Sequence, residues 1–200
     1  MNTITTDSQS RPMQWKWPIF GVCIGLLLGG YLIMPEYAQA ADASGYMLRV
    51  TARIAFAFLL LAYVARPLVQ LFGVGRGLVR HRRYLGLSMA IAHTVHFYYV
   101  AELIIVHDMP VEPITYIFGG LAFVLMWLMA ATSNDAAMRT LGRNWKRLHT
   151  FGLHYLWIIF MQSFVPRAFM PELNWLYLLI SVAGFAALGL RIWAYTRRAR

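Results

Sequence analysis

The chain has 200 residues, of which 60% are hydrophobic and only 13% charged, with a mean hydropathy of +0.54. Soluble domains run about 45–50% apolar with about 25% charge, so this composition belongs in a bilayer. The formal charge of +10 does not describe a nucleic-acid binder, because its Lys and Arg fall in short blocks between apolar runs and share no face with interleaved aromatics; such blocks fix membrane topology and touch anionic lipid. Cys23 is the single cysteine and cannot form an intramolecular disulfide.

A membrane span needs about 20 mostly apolar residues. Six stretches meet that length, near 17–35, 47–65, 84–106, 114–132, 148–165 and 173–195. The expected fold is an all-α membrane protein, a six-transmembrane-helix bundle over 17–195, flanked by an N-terminal tail at 1–16 and a basic tail at 196–200. The connections alternate in charge. The second carries Arg66, Arg76, Arg80, Arg82 and Arg83, and the fourth carries Arg139, Arg143, Lys146 and Arg147. The first has no Lys or Arg, the third has none and carries Asp108 and Glu112, and the fifth has Arg167 as its only Lys or Arg. The positive-inside rule then places both termini and the second and fourth connections in the cytoplasm of a bacterial inner membrane. Lys16, the apolar run after it and the small residues of YAQAADA imitate a signal peptide cleaved after Ala40. The run from Trp17 to Met34 exceeds the usual h-region of about 7–15 residues, so retention as a first helix is expected.

Few residues inside the spans can carry chemistry. Arg49 and Arg53 share a face at the outer end of the second span, where they either reach the interface or pair with a buried anion such as a cofactor carboxylate. Glu102 is the one acid inside a span. The third span holds His81 at its basic start, then His93 and His96, three residues apart. At about 1.5 Å per residue, His96 lies about 20 Å beyond Arg83, past the middle of the hydrocarbon core. An imidazole there is either satisfied by a neighbouring helix or holds a haem iron between facing helices. The fifth span opens with His149 and His154, about 140° apart around the helix, and carries Met161 at a depth comparable with His96. His107 falls in the short outer connection, where water satisfies it.

No G-x-G-x-x-G turn follows a strand, so flavin and nicotinamide have no site in this chain, and no Cys-His zinc pattern or Ser-His-Asp set can be assembled. The runs R82-R83-Y-L-G-L followed by H-T-V-H96, and T132-S133 leading through M-R-T-L-G142-R-N-W145-K-R-L148-H149, resemble the ferric reductase-like transmembrane domain family, and within it the membrane haem-b subunits that pass electrons to a periplasmic methionine sulfoxide reductase. The likeness covers about residues 47–195. It implies b-type haem between the third and fifth spans, with His96 and His149 on the family's axial-ligand positions and Gln162 where a deeper histidine is expected. A neutral amide is a poor iron ligand, so the haem complement is two, one or none. His93 and His154 are further candidate cofactor-binding residues, His81 could pair with His149, and Met161 could complete a site. The resemblance implies an electron-transfer subunit with membrane lipid around it, a separate flavoprotein or quinol donor and an extracytoplasmic redox partner. A haem-poor scaffold or quinone-binding protein of the same fold is the alternative.

Overall fold

A computed structural model describes residues 16–34 and 40–198. Most of the N-terminal tail, the middle of the first connection with part of the suspected cleavage segment, and the last two residues lie outside the described residues. Seven helices follow in order: α1 (Lys16–Ile33), α2 (Ala40–Phe72), α3 (Arg76–Ile105), α4 (Pro113–Ala131), α5 (Asp135–Leu141), α6 (Arg143–Phe169) and α7 (Trp175–Arg198). No strand occurs among the described residues.

The helices α1, α2, α3, α4 and α7 are each long and apolar enough to cross a membrane. Their outward faces stay apolar: Leu32, Ile117 and Leu179 are 73%, 67% and 65% exposed. A soluble surface does not carry so continuous an apolar coat, so the chain is an integral membrane protein. The 27-residue α6 covers the fifth expected span and is long enough to cross, but His149, His154 and Gln162 lower its hydropathy. One face of it is turned inward, with Leu153, Leu156, Trp157, Phe160 and Phe164 buried.

Two features differ from the sequence expectation. The helices overrun the expected spans, so that Arg76, Arg80, Arg82 and Arg83, expected in a connection, are helical residues of α3. The connection before α6 also contains α5, where the Asn134 side chain accepts from the Ala137 amide at 2.8 Å as an N-cap and Gly142 ends the turn at φ +48. Basic residues are good helix formers, so a charged sequence outside the hydrocarbon does not by itself end a helix.

Close helix approach sets the packing. Gly73 and Gly75 take φ +72 and +82, left-handed values that reverse the chain in three residues and lay α3 antiparallel along α2, its most extensive neighbour. A Cβ on Gly152 would stand 2.7 Å from the Met129 sulfur of α4, and one on Gly184 would collide with Met161. The core between α2, α3 and α6 is filled by Phe56, Leu59, Tyr63, Met89, Leu156 and Phe160.

Candidate functional site

In this bundle α3 and α6 both lead away from the basic end, and their Cα atoms nowhere come within 8 Å of each other. They meet through side chains in their outer half, where the His93 and Phe160 rings lie 5.2 Å apart and Phe56 packs on Phe160 at 5.4 Å. Toward the basic end the same gap opens into a cavity of about 460 Å³. Its apolar floor includes Leu59 and Ala62 of α2, Met89 of α3, Met126 and Met129 of α4, and Leu153 of α6. Gly86 stands on its wall, and a Cβ placed there would meet nothing within 4 Å.

His149 is the one histidine lining that cavity. Its ring stacks on Trp145 at 4.1 Å, one turn earlier on α6, and its Nε2 lies 3.0 Å from the Thr132 hydroxyl, which donates to the Leu128 carbonyl at 2.7 Å. Trp145 is held in turn by its indole N–H, which donates to the Thr132 carbonyl at 2.8 Å. Thr132 therefore fixes both rings. Nε2 carries the proton in this arrangement, leaving Nδ1 as the open base.

Cations crowd the mouth. Arg66, Arg82, Arg83, Lys146 and Arg191 all line the cavity, and among the described residues no carboxylate does. Arg83 pairs with Asp135 of α5, the one salt bridge among the described residues. Asp135 stands in water, and the hydrogen bond and charge of Arg83 hold its carboxyl below the usual carboxylate range.

The remaining sequence candidates are placed elsewhere. His96 Nδ1 donates to the Leu48 carbonyl of α2 at 3.0 Å, with the Thr51 hydroxyl 3.4 Å away. That bond fixes the tautomer with a basic Nε2, the second-shell arrangement common to metal-ligating histidines. His93 stacks on His96 at 5.2 Å and its buried Nδ1 has no hydrogen-bond partner. His154 Nδ1 donates to the Thr150 carbonyl at 2.7 Å while its ring meets Tyr63 edge-on, so it faces α2 rather than the cavity. His81 turns toward Tyr84, which packs on Phe20 of α1, and so does not face His149. Met161 is committed to Gly184 of α7. Gln162 is exposed, on the same outward face as Ile158 and Phe151.

At the outer end, Arg53 donates to the Tyr177 hydroxyl at 3.0 Å and covers that ring at 4.9 Å, whereas Arg49 is exposed. Glu102 keeps one buried carboxylate oxygen without a partner, and His107 lies half-buried between α3 and α4. Sequence reasoning missed the Thr132–Trp145–His149 arrangement and the methionine floor. The side chains on that floor come from four helices, and no local pattern joins them.

No family model and no solved structure matches the chain. Curated relatives do. The protein-methionine-sulfoxide reductase haem-binding subunit MsrQ of Klebsiella pneumoniae (strain 342) is 31% identical over 143 residues, 64% of this chain and 71% of the relative. The subunit of the same name from Enterobacter sp. (strain 638) is 29% identical over 174 residues, 79% of each chain. That of Brucella anthropi is 30% identical over 147 residues, 70% of this chain and 66% of the relative. With an integral-membrane helical fold and relatives of this extent, the chain belongs to the MsrQ family of haem-binding membrane subunits.

Proposed function

We propose that the protein is a six-span b-haem electron-transfer subunit of the bacterial inner membrane, with α6 as the fifth span and the basic end of the bundle in the cytoplasm. Electrons enter from a separate cytoplasmic flavoprotein or a membrane quinol and leave to an extracytoplasmic redox partner. The observation that carries this reading is the cavity of about 460 Å³ with His149 on its wall, set where the backbones of α3 and α6 stand apart.

The residues present fit a haem. The volume lies within the range of about 300–1,000 Å³ usual for organic ligands, the floor is apolar, the wall offers one imidazole and several thioethers, and the mouth is cationic. The described residues hold no group of three His, Cys, Asp or Glu. A haem needs none, because the porphyrin brings its own nitrogen ligands. When bound, haem supplies a one-electron couple that amino-acid side chains lack.

The chain's own residues do the rest. His149 would hold the iron, and Thr132 and Trp145 limit the orientations of its ring. Met89, Met126 and Met129 would keep water from a bound haem and so tune its potential. His96, its Nδ1 tied to Leu48, is a second imidazole competent to bind iron. It sits at another depth, with Phe56 and Phe160 filling the space between α3 and α6 there.

The test is the absorption spectrum of the purified protein with and without dithionite, with haem content by pyridine haemochrome. Reduced Soret and α bands in the wild type, weakened in His149→Ala and unchanged in His107→Ala, support the reading. A colourless protein from cells supplied with haem overturns it.

A further inference from the structure

Arg82 of α3 and Arg191 of α7 approach the mouth of the cavity from two helices, with Arg66 of α2 beside them. The three guanidiniums are close enough to repel one another. Arg191 is fixed in place: it donates to the Tyr63 carbonyl at 3.1 Å and lies 4.5 Å over the Tyr63 ring. Tyr63 is itself fully buried, so this anchor is part of the core. Asp135 of α5 is already engaged by Arg83. Among the described residues no carboxylate lines the cavity beside Arg82 and Arg191.

Holding like charges together beside an apolar floor is unfavourable unless an anion joins them, because each cation loses hydration and the low dielectric strengthens the repulsion. Guanidiniums also present paired donors that match a carboxylate in bidentate fashion. A ligand complementary to this cavity therefore has a large apolar body for the methionine floor and two anionic groups at one edge.

We propose that Arg82 and Arg191 form a clamp for the two carboxylates of a dicarboxylic tetrapyrrole, orienting its apolar face toward His149 and the methionine floor. This rests on the haem reading above and adds the residues that recognise the ligand's acidic edge. The clamp also fixes which way round the macrocycle enters, with its propionates toward the cytoplasmic mouth.

Haemin and its dimethyl ester share iron and ring and differ only in those carboxylates. The experiment titrates each into the haem-depleted full-length protein in phosphatidylcholine nanodiscs, following the Soret band. The wild type should bind the diacid at least tenfold more tightly than the diester. Arg82→Gln and Arg191→Gln should bring that ratio close to one by weakening the diacid alone. Arg53→Gln, at the outer end, should leave it unchanged.

Tight binding of both forms with no preference leaves the haem reading intact and overturns the clamp. So does a preference that survives both inner substitutions, or one that Arg53→Gln abolishes. Binding of neither form overturns both readings. Because the diacid and diester are compared first on the wild type, the clamp can fail even if an arginine variant does not fold. Adding phosphatidylglycerol to the nanodiscs separates a lipid-headgroup site from the tetrapyrrole site. If it displaces haemin from the wild type as effectively as the diacid competes with itself, the cations serve lipid and the clamp is wrong.

Discussion

His149 and His96 stand on α6 and α3, helices running the same way through the bundle, yet at different depths. His149 lines a cavity whose α2 wall is Leu59, Ala62 and Arg66, whereas His96 is bonded to Leu48, near the start of α2. Thr51, beside His96, and Ala62 are eleven residues apart on that helix, about 16 Å at 1.5 Å per residue. One iron cannot reach both. Haem in the inner cavity should therefore depend on His149, and His96→Ala should leave most of it in place. Loss of all haem in His96→Ala, with His149→Ala unaffected, would reverse the assignment.

Gln162 occupies the position where a second histidine is expected in the family, but it faces outward beside Ile158 and Phe151. The substitution Gln162→His should consequently add no second haem. The check is the haem-to-protein ratio by pyridine haemochrome; a rise of about one haem per chain would show that α6 rotates relative to the arrangement described.

Gly86 offers a steric test of the cavity. A Cβ there meets open space, so Gly86→Leu should fold normally, and replacing a helical glycine gains up to about 1 kcal/mol of helix propensity. The leucine would project into the cavity and compete with a bound macrocycle. Normal expression and thermal stability with haem content reduced severalfold is the expected result. Full haem would mean the ligand lies elsewhere.

Gly184 gives the opposite outcome. Its Cβ direction is already occupied by Met161, with the Phe56 ring 3.3 Å away, so Gly184→Val overpacks the contact between α6 and α7. The expected cost is about 1–3 kcal/mol. A lowered thermal midpoint in detergent measures it, and pairing with Met161→Ala should recover part of the loss.

Asp135 ties α5 to α3 through Arg83, and its carboxyl is held below the ordinary value of about 3.9. A depressed folded-state pKa means that the stabilisation is present above the ordinary carboxylate range and is lost as pH falls through the lowered value. Both side chains are exposed, so the effect is small and screened by salt. Amide-exchange protection in 135–141, corrected for intrinsic rates, should fall as pH drops below the ordinary carboxylate range in the wild type and be flat there in Asp135→Asn.

Orientation in the membrane is tested by reporter fusions. Alkaline phosphatase joined after Asp108 should be active, and joined after Asp135 inactive, because the connection holding Asp135 is basic and the one holding Asp108 is not. The reverse pattern would invert the topology.

Composition and the spacing of apolar runs were enough to read an all-helical membrane bundle, since about 20 apolar residues in a row have few other stable homes. The alternation of basic and uncharged connections set the expected orientation, and the Leu-Gly-x-x-Trp-x-x-Leu-His run drew attention to His149. Sequence alone could not say that Arg82 and Arg83 extend a helix, because propensity and hydropathy disagree over charged residues at a span's end. Nor could it rank the histidines. Position along the chain gives depth, but which way a ring faces depends on helix rotation, and rotation is decided by packing between helices. Gly184 against Met161 and Gly152 against Met129 lock α6 so that His149 lines the cavity and Gln162 turns outward. The cavity, its methionine floor and the arginines at its mouth are likewise joined only by tertiary packing, because they bring together residues of α2, α3, α4, α6 and α7 that no local pattern connects.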